Sequence, residues 1–319
     1  MIKTIFSLLI FLNPTIGLLV FDQALTAKSP SSEAFFVDAG NTDQYRLPLS
    51  EEVFLASQFL PIYPIRNWTV PEPEITAKTA LIFDAARQKI LWQKNGMDNP
   101  QPIASITKLM TALVIMENAK IDDVFTVSKE AISAYGEMGD LKVGEQLSVK
   151  DLLFALLLES SNDAAEALRE NLKNIYKKDL VELMNKKASD LNLANTTFAD
   201  SSGLDPKNQS SARDLTKIMQ EVLNNQTLRE VIKSPSIDIV SADGLFRQHF
   251  SSTNKLLQRF PDEVLGGKTG YTEEAGNCMI LGFKAPDNQG NIISVVMDSQ
   301  DRMGESAALL EWTKTAFLW

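Results

Sequence analysis

Strand-like runs near both ends of the chain and helical spacing between them predict an α/β protein of the α+β type. Its core should be one five-stranded antiparallel sheet, built from the two ends of the domain and flanked by helices, with a mostly helical insertion. Lys78–Asp84 and Lys89–Lys94 flank the short polar turn Ala85-Ala86-Arg87-Gln88, a hairpin signature. Three further runs, Val264–Thr269, Cys278–Phe283 and Asn291–Met297, supply the other strands. Asp287-Asn288-Gln289-Gly290 is the turn joining the last two.

In the middle, apolar residues at 106, 109, 110, 113 and 114 form a helical stripe over Ser105–Met116. Ser148 caps a run to Leu158, with Asp151 at the third helical position as in a capping box. Asn162 or Asp163 is positioned to cap the next helix, and Ser211 one that begins at Ala212. Glu305–Leu318 closes the chain with helical spacing at Ala308, Leu309, Trp312 and Phe317.

Residues 1–27 read as a signal peptide or an N-terminal membrane anchor. Lys3 precedes an apolar run from Ile5 to Leu12, and Ile16–Phe21 continues it after Asn13-Pro14. Leu25 fits a small-residue cleavage site after Ala27 poorly, so cleavage and retention both stay open. Either way the protein is expected outside the cytoplasm. Residues 28–77, rich in Ser, Pro and acidic residues, read as a linker. The large apolar residues of Val53–Leu60 and Ile62–Trp68 should dock part of it onto the domain spanning 78–319.

The 319 residues carry 31 basic and 41 acidic side chains, a net charge of −10, which argues against a nucleic-acid partner. One cysteine, Cys278, excludes an intrachain disulfide and a thiolate metal cluster. No metal and no cofactor are expected. With one histidine, His249, and no G-x-S-x-G elbow, a Ser-His-Asp triad lacks obvious parts.

A different nucleophile set is present. Ser105-Ile106-Thr107-Lys108, Ser160-Ser161-Asn162 and Lys268-Thr269-Gly270 spell S-x-x-K, S-x-N and K-T-G in that order. Three residues apart, Ser105 and Lys108 share a helix face. A lysine can act as base if burial or a neighbouring cation moves its amine toward neutrality, and Lys268 is a candidate neighbour. The bland alternative is that Ser105 caps a helix and Lys108 lies on a solvated face. Lys268 and Thr269 on a strand suit a terminal carboxylate. Gly270 would leave room for a substrate backbone beside that strand.

From about Lys78 onward the chain resembles the serine D-Ala-D-Ala carboxypeptidases, low-molecular-mass penicillin-binding proteins of β-lactamase/transpeptidase-like fold. Two longer strings, Lys268–Gly276 and Phe198–Leu204, match the family pattern as well. The resemblance implies Ser105 as nucleophile, Lys108 as base, and Ser160 and Asn162 as proton relay and holder of lysine and substrate amide. It implies an oxyanion hole from the N–H groups of Ser105 and Tyr271, and Arg213 near the carboxylate pocket. Peptidoglycan stem peptides would be the substrates and β-lactams covalent inhibitors. A class A β-lactamase would need a water-activating glutamate, and no E-x-x-L-N string follows Asn162. A D,D-endopeptidase and an exported muropeptide- or β-lactam-binding sensor remain as alternatives. Many family members carry a second β-rich domain and a membrane-resting C-terminal helix. This chain stops at Trp319, so membrane attachment would have to be N-terminal.

Overall fold

The computed structural model describes residues 63–133 and 139–319. The segment read as a signal or anchor, and most of the linker including Val53–Leu60, lie outside the described residues. No helix among the described residues is long and apolar enough to cross a membrane.

Five antiparallel strands form the main sheet: β1 (Thr79–Asp84), β2 (Lys89–Lys94), β3 (Val264–Thr272), β4 (Gly276–Lys284) and β5 (Asn291–Ser299). Their spatial order is β3-β4-β5-β1-β2. The two ends of the domain meet where β5 pairs β1, with Val295 opposite Leu81 and Ile293 opposite Phe83. Successive side chains of a strand face opposite sides, and both sides are apolar here. Leu81, Ile280, Ile293 and Val295 face the helical region, whereas Ala80, Ile82, Met279 and Val296 face the C-terminal helix.

The main helices are α1 (Thr107–Asn118), α2 (Val149–Phe154), α3 (Asn162–Tyr176), α4 (Leu180–Asp190), α5 (Ala212–Asn224), α6 (Gln226–Lys233) and α7 (Arg302–Ala316), of which α5, α6 and α7 pack directly on the sheet. The capping box at Ser148 and Asp151 is present, and Ser211 caps α5. Helix α3 differs from expectation. Its cap is Ser161, whose hydroxyl accepts from the Ala164 amide, and Asn162 is its first residue. That shift frees the Asn162 side chain for other work.

Other boundaries moved for local reasons. A single 3₁₀ turn, Ala104–Ile106, precedes α1, so Ser105 sits on a tighter turn than an α-helix and caps nothing with its side chain. Helix α7 starts at Arg302 because Asp301 accepts from the Gly304 amide. It ends at Ala316, and Phe317–Leu318 pairs with Ile65–Arg66 as a small sheet. The described end of the linker therefore docks by backbone pairing, with the Arg66 side chain donating to Val70 O at 2.7 Å. The apolar side chains expected to dock it stay out: Ile65 and Trp68 are exposed.

Candidate active site

The 3₁₀ turn holding Ser105 is wedged between two glycines. Ala104 adopts a left-handed φ of +47°, unusual for a residue with a Cβ. A Cβ on Gly203 would fall 1.9 Å from Ala104 O, and one on Gly270 would fall 2.8 Å from Ile103 O and 3.2 Å from Ser105 N. Gly270 thus makes room for the turn that carries Ser105, not for the substrate backbone expected there. The same contact sets Gly270 on β3 beside the Ser105 amide.

Lys108 extends from the first turn of α1 into the protein and is 0% exposed. Its Nζ lies 2.9 Å from Ser105 Oγ, 2.8 Å from Asn162 Oδ1 and 2.7 Å from the Ser202 carbonyl. Burial lowers its pKa to about 7, opposed by the Asp200 carboxylate. The solvated-face reading of Lys108 is therefore wrong. A hydroxyl within hydrogen-bond reach of an amine poised near neutrality meets the geometric requirement of a nucleophile–base pair.

The Phe198–Leu204 loop, which carried no assigned role in sequence, shapes this environment. Asp200 accepts from the amides of Ser202 (2.8 Å), Gly203 (2.5 Å) and Asp205 (2.6 Å). Asn208 Oδ1 accepts from Ala199 N at 3.0 Å. These bonds fix the Ser202 carbonyl against Lys108 and Gly203 against the Ser105 turn.

Ser160 lies where a five-residue π-helical stretch, Ala155–Glu159, gives way to α3. It takes the left-handed conformation, φ +68° and ψ +30°, and is buried. Such a conformation in a non-glycine residue stores strain of order 1–3 kcal/mol and commonly marks a functional position. Among the described residues no hydrogen bond holds its hydroxyl.

On the strand side, Lys268 is 1% exposed and its Nζ donates to Thr269 O at 3.0 Å. Burial drives its pKa well down, helped by the positive charges of Lys108 and Arg302. Thr269 Oγ1 shares a hydrogen bond of 2.9 Å with Thr253 Oγ1. Arg302, from the first turn of α7, donates to Gly270 O at 2.7 Å, and burial lowers its pKa. Among the described residues neither Lys268 nor Arg302 is ion-paired with a carboxylate, so two basic groups converge here without an anionic partner. Sequence reasoning missed Arg302. Helical spacing in the sequence begins at Glu305, after Arg302, and no local signal says where the guanidinium points.

Arg213 is not brought to this cluster. It bonds Asp98 Oδ1 at 2.6 Å and sits 3.5 Å from Met97 Sδ, partly in solvent. His249 does have partners, Asp238 Oδ1 at 2.8 Å and Ser251 Oγ at 3.2 Å. These are cross-strand and same-face neighbours on the hairpin Ser236–Val240/Arg247–Ser251, and both His249 and Asp238 are exposed. A line of Ser, His and Asp in water lacks the desolvation a working triad needs. Cys278, opposite Gly270 on β4, is buried, and burial pushes its thiol to about 11, so it is an inert packing residue. No group of residues suited to a metal ion occurs among the described residues.

The discontinuous five-stranded sheet with this cluster at its β3 edge defines a penicillin-binding/transpeptidase fold. The Streptomyces K15 DD-transpeptidase structure superposes with a TM-score of 0.71 at 28% identity, covering 77% of this chain and 100% of that one. Residues 66–301 match the profile of the D-alanyl-D-alanine carboxypeptidases, peptidase family S11, and the chain belongs to that family. A D-alanyl-D-alanine endopeptidase of Pseudomonas aeruginosa is 30% identical over 249 residues, 76% of this chain and 79% of that protein. The D-alanyl-D-alanine carboxypeptidase DacF of Bacillus subtilis is 32% identical over 249 residues, 76% of this chain and 62% of its own length.

Proposed function

We infer that this chain is a serine D,D-carboxypeptidase that removes the terminal D-alanine from peptidoglycan stem pentapeptides. The observation that carries this reading is the buried Lys108 amine, with its pKa at about 7, 2.9 Å from Ser105 Oγ. Neutral Lys108 takes the Ser105 proton as Oγ attacks the carbonyl of the penultimate D-alanine. The N–H groups of Ser105 and Tyr271 receive the developing oxyanion. Ser160 relays the proton to the departing amine, while Asn162 holds Lys108 and the substrate amide. D-alanine leaves, and water then hydrolyses the ester on Ser105.

Lys268 and Arg302, neither paired with a carboxylate among the described residues, and the Thr269 hydroxyl support a site for the free carboxylate of the terminal D-alanine, whose arrival would favour the protonated Lys268. A β-lactam carries a comparable carboxylate and a strained amide, so it should acylate the same serine. The N-terminal sequence supports an exported enzyme at the extracytoplasmic face of the cell membrane or in the periplasm, anchored there if the segment is retained. An endopeptidase acting on crosslinks is the second reading, favoured by relatives that bear that name, such as the Pseudomonas protein.

The test is labelling with a fluorescent penicillin, followed by assays on defined muropeptides. Wild type should label and Ser105→Ala should not. Release of D-alanine from a monomeric pentapeptide much faster than cleavage of a crosslinked dimer supports the carboxypeptidase. The reverse ranking makes it an endopeptidase, and a persistent adduct without product makes it a sensor.

A further inference from the structure

At the opposite edge of the sheet from Ser105, a groove of about 390 Å³ runs along β2, lined by Arg66, Trp68, Glu72, Trp92, Gln93 and Phe317 among others. Its volume falls within the roughly 300–1,000 Å³ typical of small-ligand sites. Nothing in the proposed reaction uses it.

Trp68 is the informative residue. It is 81% exposed, although an indole is among the costliest side chains to leave in water. The short segment that presents it is well tied. Asn67 N bonds Ala316 O at 2.8 Å, Val70 N bonds Asn67 O at 3.2 Å, and Asn67 Oδ1 accepts from Thr69 Oγ1 at 2.8 Å. Behind it the Arg66 guanidinium lies 5.2 Å from the Trp68 ring centroid, 4.8 Å from that of Trp312 and 5.9 Å from that of Phe317. That cation–π wedge leaves the Trp68 indole an ordered, solvent-facing plate. Trp92 forms a second aromatic surface, its indole N–H bonded to the Glu72 carboxylate.

We propose that this groove is a carbohydrate subsite that holds a β-1,4-linked amino-sugar strand, as in the glycan of the cell wall. Sugar rings present flat C–H faces to aromatic plates and hydroxyl and amide groups around their rims. Trp68 and Trp92 supply the plates. Glu72 and Gln93 supply acceptor and donor groups at one rim, while Arg66, bonded to the Asn67, Ala316 and Val70 carbonyls, serves only to hold the Trp68 plate. A lipid surface would favour an apolar patch without Glu72, and a disordered hydrophobic contact would not need the ties that fix Trp68. The inference rests on the cell-wall reading of the active site only for the identity of the polymer. A groove that retains the glycan would keep the enzyme on a substrate whose peptides are repeated along one strand.

The experiment is co-sedimentation of the full-length protein with chitin, an insoluble β-1,4-linked N-acetylglucosamine glycan that carries no peptides. Titration with the N-acetylglucosamine tetramer, read by tryptophan fluorescence, accompanies it. Wild type and Ser105→Ala should both sediment, and Trp68→Ala should bind about tenfold more weakly. That variant should keep its melting temperature and its kcat/KM on a soluble pentapeptide. Equal sedimentation of wild type and Trp68→Ala overturns the proposal, as does loss of binding in Ser105→Ala. Trp68-dependent binding to phospholipid vesicles, without binding to glycan, assigns the groove to a membrane instead and also overturns it. The pentapeptide assay separates the two readings. D-alanine release without glycan binding removes only the subsite, and glycan binding without release removes only the peptidase.

Discussion

The helical and the strand side of the active site treat a buried lysine in opposite ways. Lys108, on α1, is surrounded by three oxygen acceptors, Ser105 Oγ, Asn162 Oδ1 and Ser202 O. Lys268, on β3, has one acceptor among the described residues, the carbonyl of its neighbour Thr269, and two positively charged side chains close by. Both amines are pushed toward neutrality by burial, but for different ends. The first arrangement suits proton transfer, because acceptors orient a neutral amine toward one hydroxyl. The second suits anion capture, because crowded positive charge is relieved when a carboxylate arrives. Burial alone does not say which role a lysine plays; its partners do.

Breaking the helical side should cost most. Lys108→Arg keeps a cation that cannot lose its proton, so kcat should fall by roughly 10²–10⁴-fold. Penicillin acylation should slow in parallel, which stopped-flow labelling would measure, with a thermal melt to verify folding. Arg302→Ala should cost less, about tenfold to hundredfold in kcat/KM, the equivalent of roughly 1.5–3 kcal/mol for one charged hydrogen bond. Its signature is selectivity: the loss should be large on the free acid and small on a substrate amidated at its C-terminus. An equal loss on both would mean that Arg302 acts only by holding Gly270.

The pH profile sharpens the contrast further. A base must be neutral to work, and Lys108 has a pKa of about 7 in the free protein. Below that value the protonated, inactive form dominates, so kcat/KM should fall about tenfold per pH unit and level off above it. A profile flat from pH 5 to 9 would exclude Lys108 as the base. Smallest is Arg213→Ala. Its ion pair with Asp98 is largely in solvent, worth no more than about 1 kcal/mol. Activity should change less than twofold, and a loss comparable to that of Arg302→Ala would restore Arg213 to the carboxylate site.

Much of the fold was readable because strands repeat every two residues and helices every 3.6, and those periods are local. The five main strands, the Ser148 and Ser211 caps and the hairpin turn follow from such patterns. The S-x-x-K, S-x-N and K-T-G strings likewise named Ser105, Lys108, Ser160, Asn162, Lys268 and Thr269. The ends of elements were less accessible. Whether Ser161 or Asn162 caps α3 depends on the demand that Lys108 makes on Asn162, a contact between residues 54 apart in the chain.

By itself, then, the sequence determined which chemistry-bearing side chains exist and which local elements carry them. Tertiary structure alone decided three things. It placed Arg302 rather than Arg213 beside Lys268, because only packing of α7 on the sheet aims that guanidinium at Gly270 O. It made Gly270 and Gly203 the walls of the turn that carries Ser105, a matter of contacts that no spacing encodes. It also removed Lys108 from water and so brought its pKa to about 7. Desolvation is a property of everything packed around a group, and the chain neighbours of Lys108 could not supply it.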